Sequence, residues 1–88
     1  MILTQSQLGD LRVATLEELV AAKSVAFNAE TLMRRVIRAK VLDFEFTQAQ
    51  LEHELAQLVS LGLASVVPDP VTRQPHYQAT PKGIVARS

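Results

Sequence analysis

The stretch from Thr47 to Val67, TQAQLEHELAQLVSLGLASVV, constrains the fold more than any other part of the chain. Thr47 and Gln50 have the spacing of a capping box, in which each side chain bonds to the backbone N–H of the other residue, so a helix should begin here. Leucines then recur at helical spacing until Gly62, a residue that can take the left-handed conformation which ends many helices. The β-branched residues that follow predict a strand.

Two more helices are predicted upstream. The first runs from about Ser6 to Lys23, and its start is left open between a capping box at Thr4 and an entry at Gly9. The second runs from about Ala29 to Lys40 and carries apolar residues on one face. The segment Val41–Phe46 is then a connector to the third helix.

Shorter extended segments complete the pattern. Ser24–Phe27 has the composition of a small edge strand, and Asn28 after it suits the N-cap of the second helix. Leu63–Val67 and His76–Ala79 are predicted to pair as a hairpin. Pro68–Pro75 contains three prolines, which excludes a central strand and predicts a stiffened loop.

The order helix, short strand, helix, helix, hairpin, short helix predicts one α+β domain over residues 1–88, a winged helix-turn-helix with a three-helix core and a β-hairpin wing. The segments LEHELAQLVSLGLASVV and HYQATPKG resemble the third helix and wing of winged-helix transcription regulators. The resemblance covers roughly Asp10 to Ala86 and is closest to small winged-helix proteins of Mu-like prophages and small bacterial regulators. It implies a DNA-binding regulator of transcription.

That resemblance implies that the third helix enters the major groove of double-stranded DNA with Gln48, Glu52 and His53 nearest the bases. Gln suits adenine and Glu can accept a hydrogen bond from cytosine. Phosphate contacts supply much of the affinity and need Lys or Arg, yet residues 43–54 hold four carboxylates and no basic residue. The alternative is therefore a winged-helix module that binds protein, as a phage assembly or accessory factor, and never contacts DNA.

Positive charge lies on the second helix and around the wing instead. The side chains predicted to hold the DNA backbone are Arg34, Arg35 and Arg38 on the second helix, and Arg73, Gln74 and Lys82 at the wing. Two other interpretations stay open for the arginines of the second helix. They form a solvated basic face, or they pair with Asp43 and Glu45.

Composition excludes several other functions. The net charge of zero gives no global attraction to nucleic acid or anionic membranes. Without cysteine there is no disulfide, thiolate nucleophile or cysteine-based zinc site. HELAQ, residues 53–57, has Gln57 where a zinc-protease motif needs a second histidine. We therefore expect no metal, no cofactor and no enzymatic activity.

The surroundings and the oligomeric state are predicted from absences in the sequence. No apolar run approaches the roughly 18 residues that a membrane span needs, and the start has no signal-peptide pattern, so we expect a cytoplasmic protein without membrane contact. Many larger winged-helix regulators dimerise through a long helix after the wing, which this chain lacks. A homodimer would use the first helix, the N-terminal tail or the wing.

Overall fold

The computed structural model describes residues 2–87, which form an α+β fold of four helices and one two-stranded antiparallel sheet. The order of the elements agrees with the sequence pattern and is compatible with a winged helix. The elements are α1 (Gln5–Ala21), α2 (Ala29–Ala39), α3 (Gln48–Ser60), β1 (Ala64–Pro68), β2 (Pro75–Ala79) and α4 (Pro81–Ala86).

Both predicted ends of α3 are confirmed. The Gln50 N–H donates to Thr47 Oγ1 at 3.2 Å, and the Thr47 N–H donates to Gln50 Oε1 at 2.8 Å, which completes the capping box. At the other end Gly62 has φ 75°, and the Leu63 N–H donates to Leu58 O at 2.9 Å. This is the Schellman arrangement, in which a left-handed residue turns the chain out of the helix towards β1.

The first two helices also begin where their caps predict. The capping box at Thr4 is formed, so α1 begins at Gln5 and Gly9 lies inside the helix. Asn28 caps α2, and Lys40 ends it with φ 55°. The predicted ends of α1 and α2 were two residues and one residue too late.

The two strands form an antiparallel hairpin. β1 and β2 pair with Ala64 opposite Ala79 and Pro68 opposite Pro75. The two prolines therefore stand at the open end of the ladder, where a missing N–H costs least. β1 is displaced by one residue from its predicted bounds, whereas β2 begins one residue earlier than predicted and ends at Ala79 as predicted.

The predicted edge strand before α2 is reduced to a single bridge. The Phe27 N–H donates to Tyr77 O at 2.9 Å, and the Tyr77 N–H donates to Phe27 O at 2.7 Å. This bridge fixes the start of α2 against β2. It thereby places the α2 N-terminus beside the open end of the hairpin.

Leucines from three helices form the core. Those with at most 4% of their surface exposed are Leu11, Leu16, Leu19, Leu32, Leu51, Leu55 and Leu58. Ile37, which its spacing assigns to the apolar face of the second helix, is 54% exposed and lines a surface groove in the last turn of α2.

A buried ion pair joins α1 to α3. The Glu54 side chain has no exposed surface, and Arg12 Nε donates to its Oε1 at 2.8 Å. His53 Nδ1 lies 2.9 Å from Glu54 Oε2, so both carboxylate oxygens have a polar contact. Glu54 is one of the four carboxylates that the sequence sets against DNA contact, and its burial removes it from the α3 surface. Its spacing, three residues after Leu51 and four before Leu58, puts it on the buried stripe.

We predict that Thr47→Ala lowers the free energy of unfolding by about 1 kcal/mol, because it removes the acceptor for the Gln50 N–H at the start of α3. The midpoint of chemical denaturation measures the change. Thr47→Ser keeps the hydroxyl and should restore most of the stability. An unchanged midpoint for the alanine variant would contradict the importance of this cap.

Arg12→Ala should destabilise the fold more, because it leaves the buried Glu54 carboxylate without its cation. Breaking a fully buried pair costs roughly 3–5 kcal/mol, and since 36% of the Arg12 side chain is exposed, we expect about 2 kcal/mol. Arg38→Ala, an exposed arginine of α2, is the control and should stay within roughly 0.5 kcal/mol of the parent. Equal midpoints for the two variants would show that the pair contributes nothing.

Candidate nucleic-acid interface

The outer face of α3 carries the side chains predicted to read bases. Gln48, Glu52 and His53 are all exposed. Gln48 and Glu52 line a cleft of about 180 Å³ between α3, the start of α2 and the hairpin. Its other lining residues are Asn28, Ala29, Glu30, Gln74 and Pro75. The fold thus brings three predicted DNA contacts together, Gln48, Glu52 and Gln74.

Asn28 connects the hairpin to α2 at this cleft. Its Oδ1 accepts from the Thr31 N–H at 2.8 Å as the helix cap, and its Nδ2 donates to Gln74 Oε1 at 3.4 Å. Gln74 is therefore oriented by a neighbour within the chain. Amides and carboxylates line this cleft, and no lysine or arginine is among the lining residues.

The charge of the cleft is negative. Glu52 lines it and forms no ion pair with any residue between 2 and 87, whereas Glu30, which also lines it, pairs with Arg34. The pKa of Tyr77 is raised, first by partial burial of its hydroxyl and then by the Glu52 charge. A carboxylate that stabilises the neutral form of a nearby phenol would repel a phosphate group at the same place.

Two of the three α2 arginines form ion pairs. Arg34 Nη2 lies 3.1 Å from Glu30 Oε1 on the surface, one helical turn away. Arg35 Nε lies 3.2 Å from Glu18 Oε1 of α1, at an angle that does not make a hydrogen bond, and its guanidinium sits 4.7 Å above the Phe27 ring centroid. Arg35 therefore packs α2 against α1 and the Phe27 segment.

Arg38 is exposed and forms no ion pair with any residue between 2 and 87. The interpretation that the arginines pair with Asp43 and Glu45 is wrong, because their partners are Glu18 and Glu30. Of the α2 arginines, Arg38 has the side chain best placed to meet a ligand.

Arg73 occupies the tip of the hairpin loop. It has φ 62°, and its N–H donates to Asp69 O at 2.8 Å. The Asp69 carboxylate accepts from the N–H groups of Val71 and Thr72, and these bonds lower the pKa of Asp69. The backbone of the loop is thus held in one turn. It presents the Arg73 side chain to solvent.

Lys82, predicted to lie at the wing, is bound at the base of the hairpin. Its Nζ donates to Leu61 O at 3.0 Å and so satisfies a carbonyl at the C-terminus of α3. A cation at this end of a helix is also favoured by the helix dipole. Lys82 and Arg73 therefore belong to opposite ends of the hairpin.

Between residues 2 and 87 no three His, Cys, Asp or Glu side chains lie close enough to hold a metal ion. None of the described helices is both long and apolar enough to span a bilayer.

No protein-family model matches the sequence, and no curated protein matches it either. The resemblance to winged-helix regulators stays a prediction.

Proposed function

We propose that the chain is a winged helix that acts as a protein-interaction module. The fold assignment is supported by the succession of α2, α3 and the hairpin, and by the close approach of the hairpin to the start of α2. The proposed protein-interaction function is supported by the charge of the α3 face, the face that a winged helix would turn towards DNA. Its cleft holds Glu30 and Glu52 and no cation.

The small number of unpaired cations favours a protein partner over DNA. Arg35 is held between Glu18 and Phe27, and Lys82 by Leu61 O. Arg38 and Arg73 are the predicted phosphate contacts whose side chains have no partner among the described residues. The exposed Arg34–Glu30 pair is weak enough for Arg34 to supply a third contact. Each phosphate neutralised contributes about −0.9 to the slope of log affinity against log salt, so three contacts give a slope of only about −2.7.

The second candidate is the DNA-binding regulator that the sequence resemblance implies. One observation favours it: Gln48 is exposed on α3 while Arg73 is presented at the hairpin tip, so a base-reading amide and a phosphate-binding cation lie on neighbouring elements. Those two contacts would give weak binding with little specificity. A DNA complex would need Glu52 to be neutralised or turned away, and it would need Glu30 to stay paired with Arg34.

A fluorescence titration with random and selected duplexes at several salt concentrations tests the proposal. We expect no sequence-selective binding, and any low-salt binding should have a log–log slope no steeper than about −2.7. Glu52→Gln should then leave the titration nearly unchanged, because the α3 face does not meet DNA.

The DNA candidate makes the opposite prediction for matched variants. Arg73→Ala would flatten the salt slope by roughly one unit for every duplex, and Gln48→Ala would change the sequence preference at constant slope. Glu52→Gln would tighten non-specific binding. Selective binding that responds to these substitutions would overturn the protein-interaction proposal.

A further inference from the structure

A second concave surface shares no residue with the α3–hairpin cleft. It is a groove of about 340 Å³ between α1 and the connector that joins α2 to α3. Val13 and Ala14 of α1 form one apolar wall, and Val41, Leu42 and Phe44 of the connector form the other.

The groove keeps apolar surface in contact with solvent. Val13 is 42% exposed and Val41 is 61% exposed, whereas Leu42 and Phe44 rest partly on the core. Contiguous exposed apolar surface bordered by polar groups is typical of protein interaction sites. The volume is at the lower end of the range for binding pockets, which suits a few anchoring side chains better than a large ligand.

The polar border of the groove is acidic. Asp10, Glu17 and Asp43 line it, and no lysine or arginine does. Glu17 pairs with Arg87, but Asp10 and Asp43 form no ion pair with any residue between 2 and 87. Each apolar wall of the groove therefore has one unpaired carboxylate beside it, Asp10 on α1 and Asp43 on the connector.

The next groove along the connector differs in charge. It has a volume of about 130 Å³ and shares Leu42 and Phe44 with the first groove. Its charged lining residues are Lys40 and Glu45, so opposite charges stand side by side there. Of the two grooves along the connector, only the one beside α1 is lined by charges of a single sign.

We infer that the groove formed by α1 and the connector docks a cationic amphipathic helix of a partner protein. Apolar side chains spaced three or four residues apart on the partner would pack between the two apolar walls, and flanking lysines or arginines would face Asp10 and Asp43. The carboxylates oppose an anionic partner, whether nucleic acid or lipid headgroup. The inference rests on the proposed protein-interaction function and assigns it a site and a class of partner.

The probe is a synthetic amphipathic peptide of leucine and lysine, of about 16 residues so that it forms a helix. A leucine–glutamate peptide of the same pattern is its control. Amide chemical shifts of the full-length ¹⁵N-labelled protein report where each peptide binds. We expect the lysine peptide to cause saturable shifts at Val13, Val41 and Phe44, and added salt should lower its affinity. The glutamate peptide should not bind.

Two pairs of variants separate the groove from general charge attraction. Asp43→Lys should lower the affinity for the lysine peptide roughly fivefold or more. Glu52→Lys makes the same charge change on α3 and should leave that affinity within about twofold of the parent value. Val41→Ser should also weaken binding. Val71→Ser, at an 88% exposed position of the hairpin loop, should not.

Several results would overturn the inference. These are shifts centred on the α3–hairpin cleft, equal weakening by Asp43→Lys and Glu52→Lys, and equal binding of both peptides. A concentration-dependent dimer in sedimentation equilibrium that Val41→Ser abolishes would assign the groove to a second copy of the chain. If the peptide binds the groove while duplex DNA also binds selectively at α3, the proposed function is overturned but the groove assignment holds. If neither the lysine peptide nor duplex DNA binds, the assignment of the groove is overturned and the proposed protein-interaction function is not.

Discussion

The pair between Arg12 and Glu54 sets the orientation of α1 on α3, and both outer faces follow from it. A carboxylate without exposed surface needs a cation and hydrogen-bond donors, so Glu54 must face Arg12. Successive helical residues lie about 100° apart, so turning Arg12 towards α3 turns Val13 outwards, where it forms a wall of the groove. The same geometry on α3 turns Glu52 to solvent while Glu54 is inside.

The arginines show how tertiary contacts change what a sequence offers to a ligand. Arg34 and Arg35 are adjacent in sequence and identical in type, yet their pairs differ in strength. The Arg34–Glu30 pair is exposed on both sides, and such pairs contribute between nothing and about 1 kcal/mol, so a phosphate can compete for Arg34. Arg35 is two-thirds buried and also stacks on Phe27, so its release would break packing between α1 and α2.

The parts of the fold that the sequence predicted are those governed by local chemistry. The caps at Thr4, Asn28 and Thr47 need only residues within one turn, and Gly62 needs only its own backbone freedom. Helix ends without such a signal were misplaced by one or two residues. The burial of Glu54 depends on a partner 42 residues away, and its position on the leucine stripe of α3 was the available signal. Gln74 comes close to Gln48 and Glu52 through tertiary packing that includes the Asn28–Gln74 contact, which no local pattern predicts. The connector that lines the groove has no regular spacing of apolar residues, so the groove could not be predicted from the sequence.

A net charge of zero conceals an uneven surface. Four Arg–Glu pairs occupy four of the nine cations and four of the nine carboxylates, which leaves five side chains of each sign outside ion pairs within residues 2–87. The unpaired cations are Lys23, Arg38, Lys40, Arg73 and Lys82, which are spread from the end of α1 to the base of the hairpin. Three of the unpaired carboxylates, Asp10, Asp43 and Glu45, line the two grooves beside the connector, and a fourth, Glu52, lies on α3. None of these cations lines the α3–hairpin cleft, whereas Asp10 and Asp43 stand beside exposed apolar surface. Recognition that combines charge with apolar burial is therefore better supported on the connector side than on the α3 face.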